Sequence, residues 1–201
     1  HFKGWVIETA QDIFDVDACT LMDFRVSQLH GTTFVYVMPL TKRKALVEYT
    51  LFTEQLLRDD QYVAGLKHYI KEYLQGVDYN VLEEEFGIIP MTSARFKQVD
   101  GNISFIGTAG GQTKASSGFT YMFIQKQSAM IVDQLKKTGQ PFYHLSKHLQ
   151  RFSWFDKVLL NVLIKKRVPG DLVFKKMFQK NPIERIFKFL DNESSLSEDV
   201  R

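Results

Sequence analysis

Apolar and polar positions alternate along the first half of the chain and recur at helical spacing in the second. Trp5-Val6-Ile7-Glu8-Thr9 is a short strand by its aromatic and β-branched content. Over residues 20–26, Met22, Phe24 and Val26 fall on one face and Asp23 and Arg25 on the other, the two-residue period of a strand. Gly31 supplies a turn, and Phe34-Val35-Tyr36-Val37-Met38 follows as a strand that Pro39 ends. Lys42-Arg43-Lys44 makes the next turn, and residues 45–52 form another strand. Runs of this length joined by short turns predict an antiparallel meander.

The period then changes. Leu66, Tyr69, Ile70, Tyr73 and Leu74 make one apolar stripe, which predicts a helix over 59–74, capped by Asp59 or Asp60 and ended by Gly76. The acids Glu83, Glu84 and Glu85 are expected to be solvated, and 86–89 to be a strand stopped by Pro90. Asp100-Gly101-Asn102 is a turn signal. It leads into a short strand, 103–106, and then Gly107-Thr108-Ala109-Gly110-Gly111. A helix is expected to start between Ser116 and Gly118 and to reach Lys137. Beyond Gly139 the pattern is helical, divided at Pro169-Gly170 and Asn181-Pro182, and the polar residues 191–201 are expected to fray. The fold class is α+β: an antiparallel sheet part over 1–100, a strand-loop-helix segment over 101–140, a helical region over 141–190 and a tail.

Composition narrows the partners. Of 201 residues, 44% are hydrophobic and 24% charged, as in a folded protein. The 17 Phe, 8 Tyr and 2 Trp are enough for either a Phe-rich core or an aromatic-lined apolar cavity. A net charge of +3, with bases and acids interleaved, argues against nucleic acid as a partner. The single cysteine, Cys19, has no partner for an internal disulfide and no zinc-type cluster around it, which fits a reducing compartment. His144 and His148 are one helical turn apart without a third ligand, so they are expected to be solvated. No apolar run approaches the ~18 residues of a membrane span. The opening His1-Phe2-Lys3-Gly4-Trp5 has neither the regions of a secretory signal nor an initiator Met, as expected of a chain that starts within a longer protein.

A strand, a Gly-rich loop and a helix start together form an anion site, because the first backbone N–H groups of a helix lack internal partners and glycines let that backbone approach a ligand. The loop at 107–111 lacks the three spaced glycines of a dinucleotide fingerprint and the Gly-Lys-Ser/Thr of an ATP-type loop. By spacing alone it is equally a tight turn between sheet and helix.

Five ordered strings are more specific. Leu21-Met22-Asp23-Phe24-Arg25, residues 34–40, Leu46-Val47-Glu48-Tyr49-Thr50-Leu51-Phe52, Gly87-Ile88-Ile89-Pro90-Met91-Thr92 and residues 106–120 resemble the bacterial lycopene β-cyclases, in that family's order and at about its spacing. The resemblance covers roughly residues 1–125. It implies a two-part FAD flavoprotein in which a Rossmann-type half, missing here, binds the adenine dinucleotide and a sheet half covers the flavin and holds the substrate. It nominates Gly107, Thr108, Ala109, Gly110, Gly111, Ser117 and Gly118 as the segment that meets the flavin, with Thr108 where the wider class often carries Asp.

The implied reaction is a proton-initiated, non-redox cyclisation of the ends of lycopene, with reduced FAD beside the cation. Glu48 aligns with the acidic motif these enzymes need. On an apolar sheet face its carboxyl would be held protonated by desolvation; the alternative is a solvent-facing glutamate. Asp23 is the second candidate acid, with Arg25 to keep it ionised; the alternative is a surface ion pair. A substrate dissolved in bilayers implies a cytoplasmic protein peripheral on the membrane. Phe152, Phe155, Leu159, Val162 and Leu163, followed by Lys165-Lys166-Arg167 and Lys175-Lys176, have the composition of an interfacial helix or, equally, of a core helix with a basic end. Two other classes compete with the cyclase: a non-catalytic apolar-ligand or membrane-docking module, and an FAD-dependent isoprenoid oxidoreductase.

Overall fold

A computed structural model describes residues 1–143 and 150–199; His144 and His148 lie outside the described residues. The chain divides into two compact units, His1–Ile88 and Ile89–Arg201.

In the first unit, strands β1 (Phe2–Thr9), β2 (Thr20–Asp23), β3 (Thr32–Pro39), β4 (Lys44–Phe52) and β5 (Tyr79–Gly87) form one antiparallel sheet in the order β2-β3-β4-β1-β5. The predicted meander is its β2-β3-β4 part; β1 pairs on the far side of β4 and β5 adds beyond it. Helix α1 (Asp59–Tyr73) covers one face. Odd-numbered strand residues, among them Trp5, Ile7, Val35, Val37, Ala45, Val47, Tyr49 and Leu51, meet Tyr62, Leu66, Tyr69 and Ile70 of the helix stripe. Period 2 and period 3.6 thus converge on one core, and each large side chain buried there contributes roughly 2 kcal/mol. Lys3, also on this face, stays charged by pairing with Asp59 at 2.6 Å and Glu84 at 3.1 Å.

Three boundaries differ from expectation. Strand β2 stops at Asp23, because Met22 adopts φ +55° and the register slips between Thr20 and Asp23, a bulge that ends the ladder. The residue before α1 is Arg58, whose N–H donates to Gln61 Oε1 at 2.9 Å; Asp59 and Asp60 sit inside the first turn, where they complement the helix dipole. Strand β5 begins at Tyr79, earlier than predicted, and carries Glu83, Glu84 and Glu85. These acids are exposed as expected, and on an edge strand they oppose pairing with another chain.

The second unit is mainly helical: a hairpin of β6 (Val99–Asp100) and β7 (Ile103–Ser104), a 3-10 turn (Gly107–Gly110), and helices α2 (Tyr121–Thr138), α3 (Gln150–Ile164), α4 (Gly170–Lys180), α5 (Ile183–Leu190) and α6 (Leu196–Asp199). Pro169 and Pro182 stand immediately before α4 and α5, as the sequence breaks predict. Helix α2 starts later than expected. Residues 114–119 fold instead into a turn in which Gly118 is left-handed at φ +77° and its N–H donates to Lys114 O at 2.8 Å. The segment 191–199 is not frayed. Ser194 is buried and donates to Asp199, Asp199 pairs with Arg151 at 3.2 Å, and Lys126 binds Asp191 O and Glu193. The α3 stripe is led by Phe152, which is wholly buried and stacks with Phe155 and Phe189, so its front belongs to the core.

Helix α1 approaches the sheet most closely at Gly65, where a Cβ would stand 2.7 Å from the Tyr49 ring. Gly65→Val therefore sets a severe clash against the ~1 kcal/mol that a non-glycine residue gains in a helix, and the clash wins. Urea denaturation is expected to show a loss of about 2–3 kcal/mol.

Candidate active site

The sheet face turned away from α1 carries the even-numbered residues of β1, β3 and β4 and, on β5, Glu83 and Glu85. Strand register sets Tyr36, Glu48, Gly4 and Glu85 in one row across β3, β4, β1 and β5. Beside this row Phe34 pairs with Thr50 and is wholly buried, with Phe24, Tyr36 and Phe52 packed edge-to-face around it at 5.5, 5.2 and 5.0 Å between ring centres. Glu48 is half-buried beside this aromatic cluster, with Tyr36 as its cross-strand neighbour. Its Oε1 accepts a hydrogen bond from Thr50 Oγ1 at 2.7 Å. Burial pushes its carboxyl up to about 7; the Thr50 bond opposes this, while the charge of Glu85 and a hydrogen bond shared with it add to it. Such a group is part-protonated near neutral pH and can give or take a proton. Burial, with the charge of Glu48 second, also raises Tyr36 far above the ordinary tyrosine value, so its hydroxyl stays protonated.

Glu85 and Gly4 were not singled out in the sequence. Their signal is a strand parity that separates Glu83 and Glu85 from Glu84 and Phe86, together with a glycine inside a strand, which marks a close approach. A Cβ on Gly4 would stand 2.7 Å from Glu85 Oε1 and 3.1 Å from Leu46 Cδ1, so the missing side chain is space that the Glu85 carboxyl uses.

Asp23 is on the other face. It accepts bonds from Arg25 Nε at 3.0 Å and Nη2 at 2.5 Å and from the Tyr69 hydroxyl of α1 at 2.8 Å, while Arg25 stacks on Tyr73. Burial raises this carboxyl, but the Arg25 and Tyr69 bonds outweigh it and hold Asp23 below the usual carboxylate range. The sheet separates Asp23 from Glu48, so the two candidate acids do not form a pair.

The glycine segment makes a tight 3-10 turn. Gly107 and Gly111 are left-handed at φ +57° and +74°, and a Cβ on Gly110 would lie 2.3 Å from Phe105 O. From behind, Gln127 accepts the Gly107 N–H at 2.9 Å and donates to Phe105 O, and Gln98 donates to Gly110 O. Thr108 and Ala109 form the exposed crest, whereas Gly110, Ser117 and Gly118 are buried and shape the turn from within. Lys114 anchors it. Its ammonium is buried, 2.8 Å from Asp156 and 2.8 Å from Asn192, and faces the Phe189 ring at 4.8 Å; Ser116 donates to the same Asp156 oxygen at 2.6 Å. Burial lowers the lysine, and Asp156 opposes the loss of its proton. Of the nominated residues, the fold brings Gly107, Thr108, Ala109, Gly110 and Gly111 into one turn, with Ser117 and Gly118 in the turn that follows.

A model of the family described as lycopene cyclase protein matches residues 1–201. The lycopene beta-cyclase of Pseudescherichia vulneris is 25% identical over 141 residues, covering 67% of this chain and 36% of that protein. Among solved structures, a geranylgeranyl bacteriochlorophyll reductase-like protein from Thermoplasma acidophilum shares the fold with a TM-score of 0.53 at 12% identity, over 99% of this chain and 50% of that one. The chain therefore spans 36% of the curated relative and half of the structural one.

Two outcomes follow from the buried charges. Lys114→Met leaves the Asp156 carboxylate buried without its cation and is expected to cost about 3–5 kcal/mol, most of it recovered by adding Asp156→Leu, in denaturation followed by circular dichroism. For Glu48, the folded carboxyl holds its proton to about 7 against an ordinary value of 4.5, so the folded state loses stability as pH rises between these values. Glu48→Gln is expected to be more stable than the parent above pH 7, and the difference to vanish as pH falls to 4.5, in urea titrations across that range.

Proposed function

The chain belongs to the lycopene cyclase family, and from that membership we propose that it is the substrate-sheet part of an FAD flavoprotein that closes β-ionone rings at the ends of lycopene without net redox change. The reading assigns the Rossmann-type half to residues outside this sequence. The observation that carries it is Glu48: a carboxyl raised to about 7 on an aromatic sheet face.

The terminal double bond of the polyene takes the Glu48 proton, leaving a tertiary cation and a carboxylate. An internal double bond attacks the cation and closes the ring, and loss of a ring proton ends the sequence. One proton enters and one leaves, so the product is an isomer. The aromatic cluster of Phe24, Phe34, Tyr36 and Phe52 supports this chemistry twice, by excluding water and by offering ring faces or edges to the polyene. Thr50 orients the Glu48 carboxyl through its hydrogen bond. Reduced FAD, when bound, supplies negative charge to balance the cation. The residues that would hold its edge are the crest Thr108 and Ala109 with Gly107 and Gly111, and they fit, since the crest is exposed and the turn is held from behind by Gln127 and Gln98. We read Asp23 as a clamp between β2 and α1 rather than as a second acid.

Lycopene has to be taken from a bilayer. Among the described residues no helix is long and apolar enough to cross a membrane. We assign peripheral contact to the outer flank of α3, where Trp154 and Val158 are exposed one turn apart and Lys165, Lys166 and Arg167 follow.

The full-length protein, given lycopene in vesicles in deuterated water with the flavin reduced, is expected to form a ringed product that carries solvent deuterium and consumes no reductant. Its rate should fall as pH rises through about 7, where Glu48 loses its proton. Glu48→Gln should keep the flavin and lose at least about 100-fold in rate. Normal turnover by that variant would remove Glu48 from the role, and stoichiometric use of reductant would assign the chain to the isoprenoid oxidoreductases instead.

A further inference from the structure

The first sheet contains a second carboxyl that the proposed reaction has not used. Glu48 and Glu85 belong to strands β4 and β5, which are separated by β1. Adjacent strands lie about 4.8 Å apart, so the two backbones are roughly 10 Å from each other, and an ordinary side chain on β1 would stand between the carboxyls. The residue in that place is Gly4, paired with Glu48 on one side and Glu85 on the other. With no side chain there, the Glu85 carboxyl lies over the Gly4 backbone on the side of Glu48, its Oε1 2.7 Å from the point where a Cβ would be. Unlike Glu48, Glu85 is exposed and on the edge strand.

We propose that Glu85 is the positioning and proton-supply partner of Glu48, reloading it from solvent across the lane that Gly4 leaves open. The inference rests on Glu48 being the acid of the reaction. After Glu48 gives its proton to substrate, hydronium transfers a proton to the Glu85 carboxylate and becomes water, and that O–H bond of Glu85 breaks as the O–H bond of Glu48 re-forms. Before that step the Glu85 carboxyl, seated over Gly4, positions the Glu48 carboxyl beside it. The other polar or charged groups facing Glu48 are few. Thr50 is on its own strand, Tyr36 is on β3 and stays protonated, and Glu83 is two residues along β5 on the same side. Lys3 and Glu84 are on the opposite face, with α1. Glu85 is therefore the one group in the row that couples Glu48 to water.

The test uses the full-length protein and three variants, with cyclisation rate measured against pH and the Glu48 carboxyl followed by carbon-13 NMR. Glu85→Gln is expected to lower kcat by about tenfold with KM within about twofold, and to move both the alkaline limb of the rate profile and the Glu48 midpoint down by about one pH unit. Glu85→Asp should restore part of both. Gly4→Ala places a methyl in the lane and should reproduce the shift, with little further loss when combined with Glu85→Gln. Because Glu85 is exposed, its variants report on the proposal even where Gly4→Ala destabilises the sheet. If Glu48→Gln abolishes cyclisation while Glu85→Gln keeps the parent pH profile and NMR midpoint, Glu85 has no such role. If Glu48→Gln remains active, the reading of Glu48 fails and this inference fails with it.

Discussion

A β-strand offers successive side chains to opposite faces, and the first unit depends on how that alternation is divided. On β4, Ala45, Val47, Tyr49 and Leu51 go to the helix, and Leu46, Glu48, Thr50 and Phe52 go to the other side. The helix face is filled by α1 and closed around Gly65, so it has no room for a ligand or for an unpaired charge. That commitment leaves the aromatic face as the place where a carboxyl can be desolvated without disturbing the core. It also explains why two acids only 25 residues apart behave so differently. Asp23 is on the side of Tyr69, where hydrogen bonds favour its ionised form, and Glu48 is on the opposite face beside Tyr36, where burial favours its proton.

The second unit meets the opposite problem. Its turns at residues 107–120 are rich in small residues and bury little apolar surface, so packing alone would hold them weakly. A buried ion pair does it instead: Lys114 and Asp156 tie the turn to α3, and Asn192 ties it to the segment after α5. Such a pair contributes less to stability than its Coulomb energy implies, because both ions have left water. It does make the arrangement specific, since any other placement of the turn would leave a buried ion unmatched. Residues 191–199 are held in the same way, with Asp199 and Ser194 paired within the unit.

Much of the fold was legible because it follows from periodicity. The strands at Phe34 and Ala45 and the helix stripe of Leu66, Tyr69 and Ile70 were found within a residue or two. The differences come from features that periodicity does not carry. Met22 is a good strand residue by type, and only its left-handed backbone ends β2. Residues 114–119 look like a helix start, but Gly118 takes a conformation that a helix excludes. Residues 191–199 are polar in composition, yet Ser194 donates to Asp199 and Glu193 and Asp199 pair with Lys126 and Arg151 elsewhere in the unit. In the candidate site, resemblance points to Glu48 and the glycine turn, whereas Glu85 reads as one of three solvated acids. Its place beside Glu48 depends on which strand lies between them, a property of topology that no local window contains. The same holds for Asp23, whose face is set by pairing with β3 and not by its own neighbours.

Gly4 has one more consequence. Strand β1 is the only element that touches both β4 and β5 within the sheet, and its side chains on either side of Gly4 are Lys3 and Trp5, one long and charged, the other the bulkiest of all. Sliding β1 by a single residue would bring one of these into the gap and turn Gly4 toward the helix. A sheet assembled one step out of register would therefore be poorly packed and would lose the Glu48–Gly4–Glu85 row at once. Correct assembly and the row that joins Glu48 to Glu85 are in this protein a single condition, set by one residue that has no side chain.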